Sequence, residues 1–284
     1  MSAPRRTAAR RCAVTWYPVG ETEYDGERLA VHRGAGGGPA LVFVHGLEDS
    51  WQTWRPFANE LTAGSRWTPY ALDLPWRAGA DYGWVHRTGP SVLLRRALEL
   101  LPQPPAVLVG HSFGANGVLE LLAATDRPPV AGAVLLAPYF RPSDDPVTWQ
   151  LFERELARFR GVIGEGVRRR MGERGRTLPT DLVGTVVAKA LDRVGPLGFV
   201  ALLRQFVTTA DLDLSAVREP TLVVSGALDP ALAGPRADAL LRAMPSATAH
   251  TRPDGGHFCH LEQVTEVAGE VRRFLATLPV PTLV

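Results

Sequence analysis

The chain has 284 residues, of which 45% are hydrophobic and 21% charged. This composition is typical of a globular protein and excludes a disordered or collagen-like chain. Thirty-one Lys and Arg residues against 29 Asp and Glu residues leave a net charge of +2. That balance is too even to indicate nucleic acid or an anionic membrane as a partner. We therefore expect a small-molecule substrate that is recognised locally, and one large domain with an insertion.

The sequence indicates a cytoplasmic protein. Apolar runs such as 130–138 are far shorter than the roughly 20 residues that a membrane helix needs. Residues 1–12 contain four arginines but no apolar segment follows them, so they predict a disordered basic arm instead of an export signal. Cys12 and Cys259 are expected to be free thiols, because two cysteines without an export signal do not indicate a disulfide framework.

Short apolar segments alternate with amphipathic ones, which is typical of an α/β protein. We predict strands over 13–19, 28–33, 41–45, 70–74, 106–110, 130–137, 221–225 and 247–252. Consecutive apolar positions at 41–44 and 107–109 indicate parallel strands that are covered on both faces. The first two strands, with a polar turn at 20–26, predict an antiparallel hairpin at the edge of this sheet.

Amphipathic helices are predicted between the strands, over 54–61, 91–101, 115–124, 236–244 and 261–278. The alternation breaks at 141–212, where we predict only helices, over 146–158, 162–170, 179–190 and 196–208. We therefore expect a core made of 13–140 and 213–284, and a helical cap over 141–212. The large apolar side chains of this insertion should mostly be core, with a minority facing a substrate; they are Trp149, Phe152, Phe159, Met171, Phe199 and Phe206.

The segment Gly110-His111-Ser112-Phe113-Gly114 lies between a predicted strand and a predicted helix, which is the setting of a nucleophile elbow. A serine in such a sharp turn is held above the sheet in a strained backbone conformation, and the flanking glycines let neighbouring chain pass closely. The start of the helix also places the Phe113 N–H near an oxygen that becomes anionic during acyl transfer. We predict Ser112 as a nucleophile.

A serine nucleophile requires a histidine base and an acid that orients it. Asp229 ends an apolar strand at the same sheet edge as Ser112, and His257 lies in a glycine-containing loop before the last helix. The order Ser112, Asp229, His257 is the order expected for this kind of elbow. Asp254 is the competing acid, but an aspartate before two glycines more often makes a turn. The other histidines with strand, loop or helix positions, His32, His86, His250 and His260, are expected to be structural.

A second oxyanion donor is predicted where the strand 41–44 runs into His45-Gly46. The Leu47 N–H would pair with the Phe113 N–H to stabilise the oxyanion, and His45 is expected to be structural. Glu48 and Asp49 would oppose a developing negative charge, so we expect both to point into solvent, with contact to a cationic substrate group as the alternative.

These segments, His45-Gly46, Gly110–Gly114 and Gly255-Gly256-His257, resemble the α/β-hydrolase superfamily, in its lidded branch of esterase-like and peptidase-like members. The resemblance covers nearly the whole chain after residue 25. It implies a mostly parallel eight-stranded sheet with an all-helical cap after the sixth strand. Relatives often carry D-x-P-G-x-G after the fourth strand, but this chain has Trp76 in place of the first glycine, which weakens any transfer of substrate.

We predict a serine hydrolase that acts on an ester or thioester of a small, largely apolar molecule through an acyl-enzyme on Ser112. A serine at this position argues against haloalkane dehalogenases and epoxide hydrolases of this fold, which use a carboxylate nucleophile. Two alternatives stay open, a C–C bond hydrolase or lyase with the same triad and a ligand-binding protein with little turnover. No metal or organic cofactor is expected, and a homodimer is an open alternative to a monomer.

Overall fold

A computed structural model describes residues 15–232 and 234–279, with the side chains of 174, 176 and 230 left aside. The predicted basic arm over 1–12 and Cys12 lie outside the described residues. The strands are β1 Tyr17–Tyr24, β2 Glu27–Arg33, β3 Ala40–Val44, β4 Thr68–Asp73, β5 Pro105–His111, β6 Gly132–Leu136, β7 Thr221–Gly226 and β8 Ala247–Arg252. The α-helices are α1 Arg55–Thr62, α2 Pro90–Leu98, α3 Phe113–Ala123, α4 Trp149–Thr177, α5 Thr180–Thr208, α6 Pro235–Ala243, α7 Cys259–Glu262 and α8 Val264–Thr277.

The eight strands form one sheet in the order β1-β2-β4-β3-β5-β6-β7-β8. The pairs from β4 through β8 are parallel, whereas β1 pairs with β2 and β2 with β4 in antiparallel orientation. The predicted mostly parallel sheet with an antiparallel hairpin at one edge is therefore confirmed. The carboxyl ends of β3, β5, β6 and β7 are consequently brought to one edge of the sheet.

The hairpin turn is much shorter than the predicted polar turn at 20–26. β1 continues to Tyr24, and Asp25 and Gly26 alone make the turn, both with positive φ angles of 54° and 77°. Two residues with positive φ form the turn whose twist matches that of paired strands, and Asp-Gly is a favoured sequence for it. Polar residues at 20–24 are compatible with a strand because this edge of the sheet is partly exposed.

Alternate side chains of the central strands point to opposite faces, as the period of two in a strand requires. On one face Leu41 and Phe43 pack with residues of α1 and α8. On the other face Val42 and Val44 pack with residues of α2, α3 and α6. Both faces are therefore covered by helices, which explains why these strands are apolar at consecutive positions.

Two long helices, α4 and α5, occupy the chain between β6 and β7, where four separate helices are predicted. The first two predicted helices are one continuous helix through Gly161, and the chain leaves helical geometry only at Gly172, which has φ of 56°. The second break lies at Gly195, with φ of 55°, just before Pro196. Gly161 keeps helical geometry, so a glycine in the sequence does not by itself mark a helix end. In the described ranges 15–232 and 234–279, none of the helices has the length and apolar character needed to cross a membrane.

Candidate active site

Ser112 lies at the sharp turn between β5 and α3. Its backbone has φ of 50° and ψ of −120°, a conformation that a non-glycine residue adopts only when its surroundings enforce it. The Ser112 N–H donates to the Leu136 carbonyl at the end of β6 at 2.9 Å, and the Ser112 carbonyl accepts from the Asn116 N–H at 3.0 Å. The turn is thereby held from the sheet on one side and from the helix on the other.

The two glycines of the elbow are required by close backbone packing. A Cβ atom on Gly110 would lie 2.6 Å from the Cα of Ala115, and one on Gly114 would lie 2.4 Å from the carbonyl oxygen of His45. Both distances are too short for any side chain. The first turn of α3 therefore packs directly against the end of β3, and this contact places Ser112 beside the segment His45-Gly46.

Asp229 and His257 form a buried pair at the same sheet edge. The His257 Nδ1 lies 2.8 Å from the Asp229 Oδ2, and the Asp229 Oδ1 accepts from the Ala231 N–H at 2.9 Å. Only 1% of Asp229 and 4% of His257 is exposed. Asp254, the competing acid, is exposed. The pair is thus shielded from water, and its carboxylate is oriented by a backbone donor.

The loops that carry Asp229 and His257 are in backbone contact with each other. The Leu228 N–H donates to the Gly255 carbonyl at 3.0 Å. A Cβ atom on Gly226 would lie 2.0 Å from that same carbonyl oxygen, so β7 ends in glycine for a steric reason. The acid and the histidine are therefore positioned relative to each other by main-chain contacts, which vary less than side-chain rotamers do.

The charges of this pair stabilise each other. Burial alone would lower the pKa of His257, but the negative charge of Asp229 and its hydrogen bond outweigh burial and raise that pKa above the usual value. Burial alone would raise the pKa of Asp229, but the charge and hydrogen bond of His257 outweigh it and lower that pKa. Asp229 is therefore ionised at neutral pH, and it favours the protonated form of His257.

The Nε2 atom of His257 is the ring nitrogen that does not contact Asp229. It is buried and has no hydrogen-bond partner within the described chain. Ser112 and His257 both line two small cavities, one of about 20 Å³ that includes Leu47 and one of about 40 Å³ that includes Tyr139. A cavity needs some 10–15 Å³ to hold one water molecule, so each of these cavities is large enough for at least one water molecule.

Leu47, in the segment after β3, lines the smaller cavity, and the Phe113 N–H is in the first turn of α3. Neither N–H donates a hydrogen bond to another described residue, and N–H groups in a first helical turn have no acceptor within the helix. His45 is fully buried, with its Nδ1 2.8 Å from the Gly46 carbonyl and its Nε2 accepting from the Leu74 N–H at 3.1 Å. His45 therefore orders the loop.

Trp76, which stands where relatives carry a glycine, supports this same loop. Its indole N–H donates to the His45 carbonyl at 2.9 Å, and its own carbonyl accepts from the Glu48 N–H at 2.8 Å. The ring is completely buried and packs edge-on against Phe113, with 5.3 Å between ring centroids. The Trp76 side chain, which departs from the family pattern, thus contacts both segments that carry the predicted oxyanion donors.

The expectation that Glu48 and Asp49 point into solvent is wrong. Only 1% of Glu48 and 5% of Asp49 is exposed. The Glu48 carboxylate accepts from the Tyr82 hydroxyl at 3.2 Å and from the Arg193 guanidinium, while Asp49 accepts from the Thr53 hydroxyl at 2.5 Å. The cationic partners come from distant helices, Arg193 of α5 for Glu48 and Arg170 of α4, 4.0 Å away, for Asp49, so local sequence did not indicate that these carboxylates would be neutralised.

Several residues near the site are not indicated by any sequence motif. His111 donates from Nε2 to the His257 carbonyl at 3.0 Å, and burial together with the charge of His257 lowers its pKa to about 3. The Asn116 side chain bonds both backbone groups of Tyr139, at 2.8 and 3.0 Å. Arg158 reaches the larger cavity. Of these residues only His111 could have been found from the sequence, because it lies inside the elbow motif. The others come close to the site only when the chain folds.

Of the large apolar residues of the insertion, Phe159 and Phe206 line the larger cavity.

Cys259 is a buried free thiol, and burial raises its pKa to about 12, so it is not a nucleophile at neutral pH. His32 stacks on Trp51 with 3.8 Å between centroids. Across the ranges 15–232 and 234–279, no three His, Cys, Asp or Glu side chains are grouped as a metal site requires.

Comparisons with known proteins place the chain among hydrolases. A pimeloyl-[acyl-carrier protein] methyl ester esterase of Stenotrophomonas maltophilia (strain K279a) is 28% identical over 264 residues, which cover 86% of this chain and 95% of that protein. The solved structure of E-2-(acetamidomethylene)succinate hydrolase matches with a TM-score of 0.68 at 17% identity, over 93% of this chain and 100% of that one. Est816, an N-acyl homoserine lactone degrading enzyme, matches with a TM-score of 0.67 at 19% identity, over 90% of this chain and 100% of its own. At these identities the structural matches show the fold. The sequence model of the alpha/beta hydrolase family matches residues 41–270, and the chain belongs to that family.

Proposed function

We propose that this protein is a serine hydrolase that cleaves an ester or thioester of a small molecule through an acyl-enzyme on Ser112. One observation carries the proposal. The His257 Nδ1 is held 2.8 Å from the Asp229 carboxylate, while its Nε2 is buried, unpaired within the described chain and lines the same cavities as Ser112. A histidine oriented in this way can take the serine proton.

The reaction begins when the Ser112 Oγ attacks the carbonyl carbon and its proton passes to the His257 Nε2. Asp229 stabilises the imidazolium that forms, and the Leu47 and Phe113 N–H groups donate to the oxyanion. The imidazolium then gives its proton to the leaving alcohol or thiol, which leaves an acyl-Ser112 ester. Water attacks this ester with His257 again as base, and the acid and free serine are released.

The named relatives favour a carboxylic ester within this class. The Stenotrophomonas protein and a protein of Xanthomonas campestris pv. campestris (strain B100), which is 29% identical over 265 residues, are both pimeloyl-[acyl-carrier protein] methyl ester esterases. Each match covers 86% of this chain, and the family match over residues 41–270 includes the positions of Ser112, Asp229 and His257. A methyl ester has a small leaving group, which fits the small cavities beside Ser112.

The region 141–212 is the proposed cap. Its helix α4 supplies Val162 to both cavities around Ser112, and its helix α5 supplies Leu202 and Phe206 to the larger one. Cavities of about 20 and 40 Å³ are too small for an acyl chain of several carbons. We therefore expect α4 and α5 to shift relative to the core when a larger substrate binds, and such shifts commonly limit turnover in capped enzymes.

Labelling with a fluorophosphonate tests the proposal. Wild-type protein should form an adduct that peptide mass spectrometry locates on Ser112, and the adduct should be absent in Ser112→Ala and strongly reduced in His257→Ala. Ser50→Ala is the matched control, because Ser50 lines a neighbouring cleft outside these cavities. An adduct on Ser112 that forms equally fast in His257→Ala would contradict the proposed activation, and folded protein without any adduct would refute the proposed nucleophile.

A further inference from the structure

The larger cavity beside Ser112 is lined by apolar side chains and by two charged ones. Phe159, Val162, Leu202 and Phe206 form its apolar wall. Glu155 and Arg158 also line it and lie about two turns and one turn before Val162 on α4, so we call their side the charged end. A pocket for a largely apolar substrate would not place ionised groups in its wall, because burying a charge without a partner is costly. The ionised side chains at the charged end therefore need partners, either within the protein or in a ligand.

The cluster at this end contains two carboxylates and three guanidinium groups. The Glu155 Oε1 accepts from the Arg158 Nη1 at 2.9 Å and from the Arg236 Nη2 at 3.0 Å, and the Arg154 Nε lies 3.5 Å from the same oxygen. Asp145 is the second carboxylate, 3.4 Å from the Arg236 Nη2. Arg154 is 46% exposed, so its charge faces solvent, and the remaining two guanidinium groups, Arg158 and Arg236, face the two carboxylates.

The cluster also contains unused hydrogen-bond donors. Arg236 is largely buried, with its guanidinium 4.7 Å from the centre of the Phe206 ring, and its Nη1 has no hydrogen-bond partner among the described residues. Arg158 lines the cavity and forms its hydrogen bond to Glu155 through Nη1. An ion pair that served only to anchor α4 to α6 would be complete with Arg236 and Glu155. Arg158 adds a cation on the side of the substrate cavity.

We propose that the substrate carries a carboxylate at the end remote from the scissile ester, and that Arg158 binds this carboxylate. This inference rests on the proposed esterase function and specifies its substrate class as an ester with a free carboxylate. The planar guanidinium binds carboxylates through two parallel hydrogen bonds. Arg158 contacts Glu155 through Nη1, so its other N–H groups can donate to a substrate carboxylate, which accepts them more strongly than a neutral group does.

The test compares each carboxylate substrate with its neutral carboxamide twin. One arm places the carboxylate on the acyl side, with monomethyl esters of dicarboxylic acids from succinate to suberate and the matching monoamides. The other arm places it on the alcohol side, with the acetate ester of gamma-hydroxybutyrate and its amide. We expect kcat/KM for the carboxylate to exceed that for the amide by about tenfold or more in one arm, since hydrogen bonds to charged groups are stronger than neutral ones.

Arg158→Gln should reduce this carboxylate-to-amide ratio to near one, and Arg158→Lys should retain part of it. Arg154→Gln is the matched control, because Arg154 lies one turn away on α4 and contacts the same Glu155 but does not line the cavity. Its ratio should equal that of the wild type. Thermal unfolding of each variant verifies that the fold is intact.

The outcomes separate this inference from the proposed function. Hydrolysis of amide and carboxylate substrates at equal rates in both arms would overturn the inference and leave the esterase proposal standing. A ratio that falls equally in the Arg154 and Arg158 variants would also overturn it. If no ester is turned over, the free carboxylates and amides are compared as competitors of fluorophosphonate labelling, and equal protection overturns the inference. Absence of any label on Ser112 would refute the proposed function and the inference together.

Discussion

Replacement of Asp229 by asparagine is the most informative single change at this site. The Asp229 Oδ1 accepts from the Ala231 N–H at 2.9 Å, and the Oδ2 lies 2.8 Å from the His257 Nδ1. In Asp229→Asn the amide oxygen is needed by the Ala231 N–H, so the amide NH2 group faces His257. The Nδ1 must then accept a hydrogen bond, and the proton of the neutral ring moves to Nε2, where it prevents uptake of the serine proton.

We expect this change to lower kcat by about four orders of magnitude, the size of effect that a wrong tautomer causes in a serine triad. This loss corresponds to about 5 kcal/mol of transition-state stabilisation at about 1.4 kcal/mol for each tenfold. Because Asp229 is only 1% exposed, no water molecule can take over the role of the lost oxygen. The substitution conserves volume, so the protein should stay folded.

The pH profile gives a second readout of the same contact. His257 must be neutral to act as a base, so activity falls as the pH is lowered through its pKa. Asp229 raises that pKa, so the acid limb of kcat/KM in the wild type should lie above the usual histidine value of about 6.5. In Asp229→Asn burial acts without the opposing charge, and the acid limb should move to lower pH.

The assay is hydrolysis of an activated ester across a pH series, with Asp254→Asn as the matched control. Asp254 lies in the histidine loop and is exposed, so its variant should keep wild-type kcat and the wild-type acid limb. The reasoning would be refuted if Asp229→Asn kept activity within tenfold of the wild type, or if Asp254→Asn were the more damaging change. An acid limb that did not move would contradict the assigned cause of the pKa.

Two further predictions concern the packing of the elbow and the contact between Glu48 and α5. Gly114→Ala should lower the free energy of unfolding by about 3 kcal/mol, because its Cβ would lie 2.4 Å from a backbone oxygen. Gly161→Ala on α4, with open space around it, should raise that free energy by about 0.5–1 kcal/mol, and urea unfolding checks both. In a double-mutant cycle with Glu48→Gln and Arg193→Gln, we expect a coupling of about 1 kcal/mol, since Glu48 is buried; zero coupling would show that this contact does not hold α5 to the core.

Local sequence was sufficient for the elements that are fixed by neighbouring residues. The order of strands and helices, the hairpin at the sheet edge and the turn that carries Ser112 were all predicted, because apolar periodicity and glycine positions act over a few residues. The polar turn at 20–26 was placed wrongly. Its polar residues signal exposure, and an exposed edge strand is as polar as a loop.

The kinks of the insertion needed the folded chain. Gly161 and Gly172 look alike in the sequence, but only Gly172 has a positive φ, whereas Gly195 precedes a proline and lies between two predicted helices. A glycine permits a break without requiring one, so packing of α4 and α5 decides where the helix bends.

The sequence by itself determined which residue types were available for chemistry and in what order, namely a serine in an elbow, an aspartate after a strand and a histidine in a glycine loop. Tertiary structure decided which charges meet. Glu48 forms an ion pair with Arg193 of α5, and Glu155 of α4 forms ion pairs with Arg158 and Arg236. Electrostatic interactions depend on distance in space and on burial, and neither quantity is encoded in the spacing of these residues along the chain.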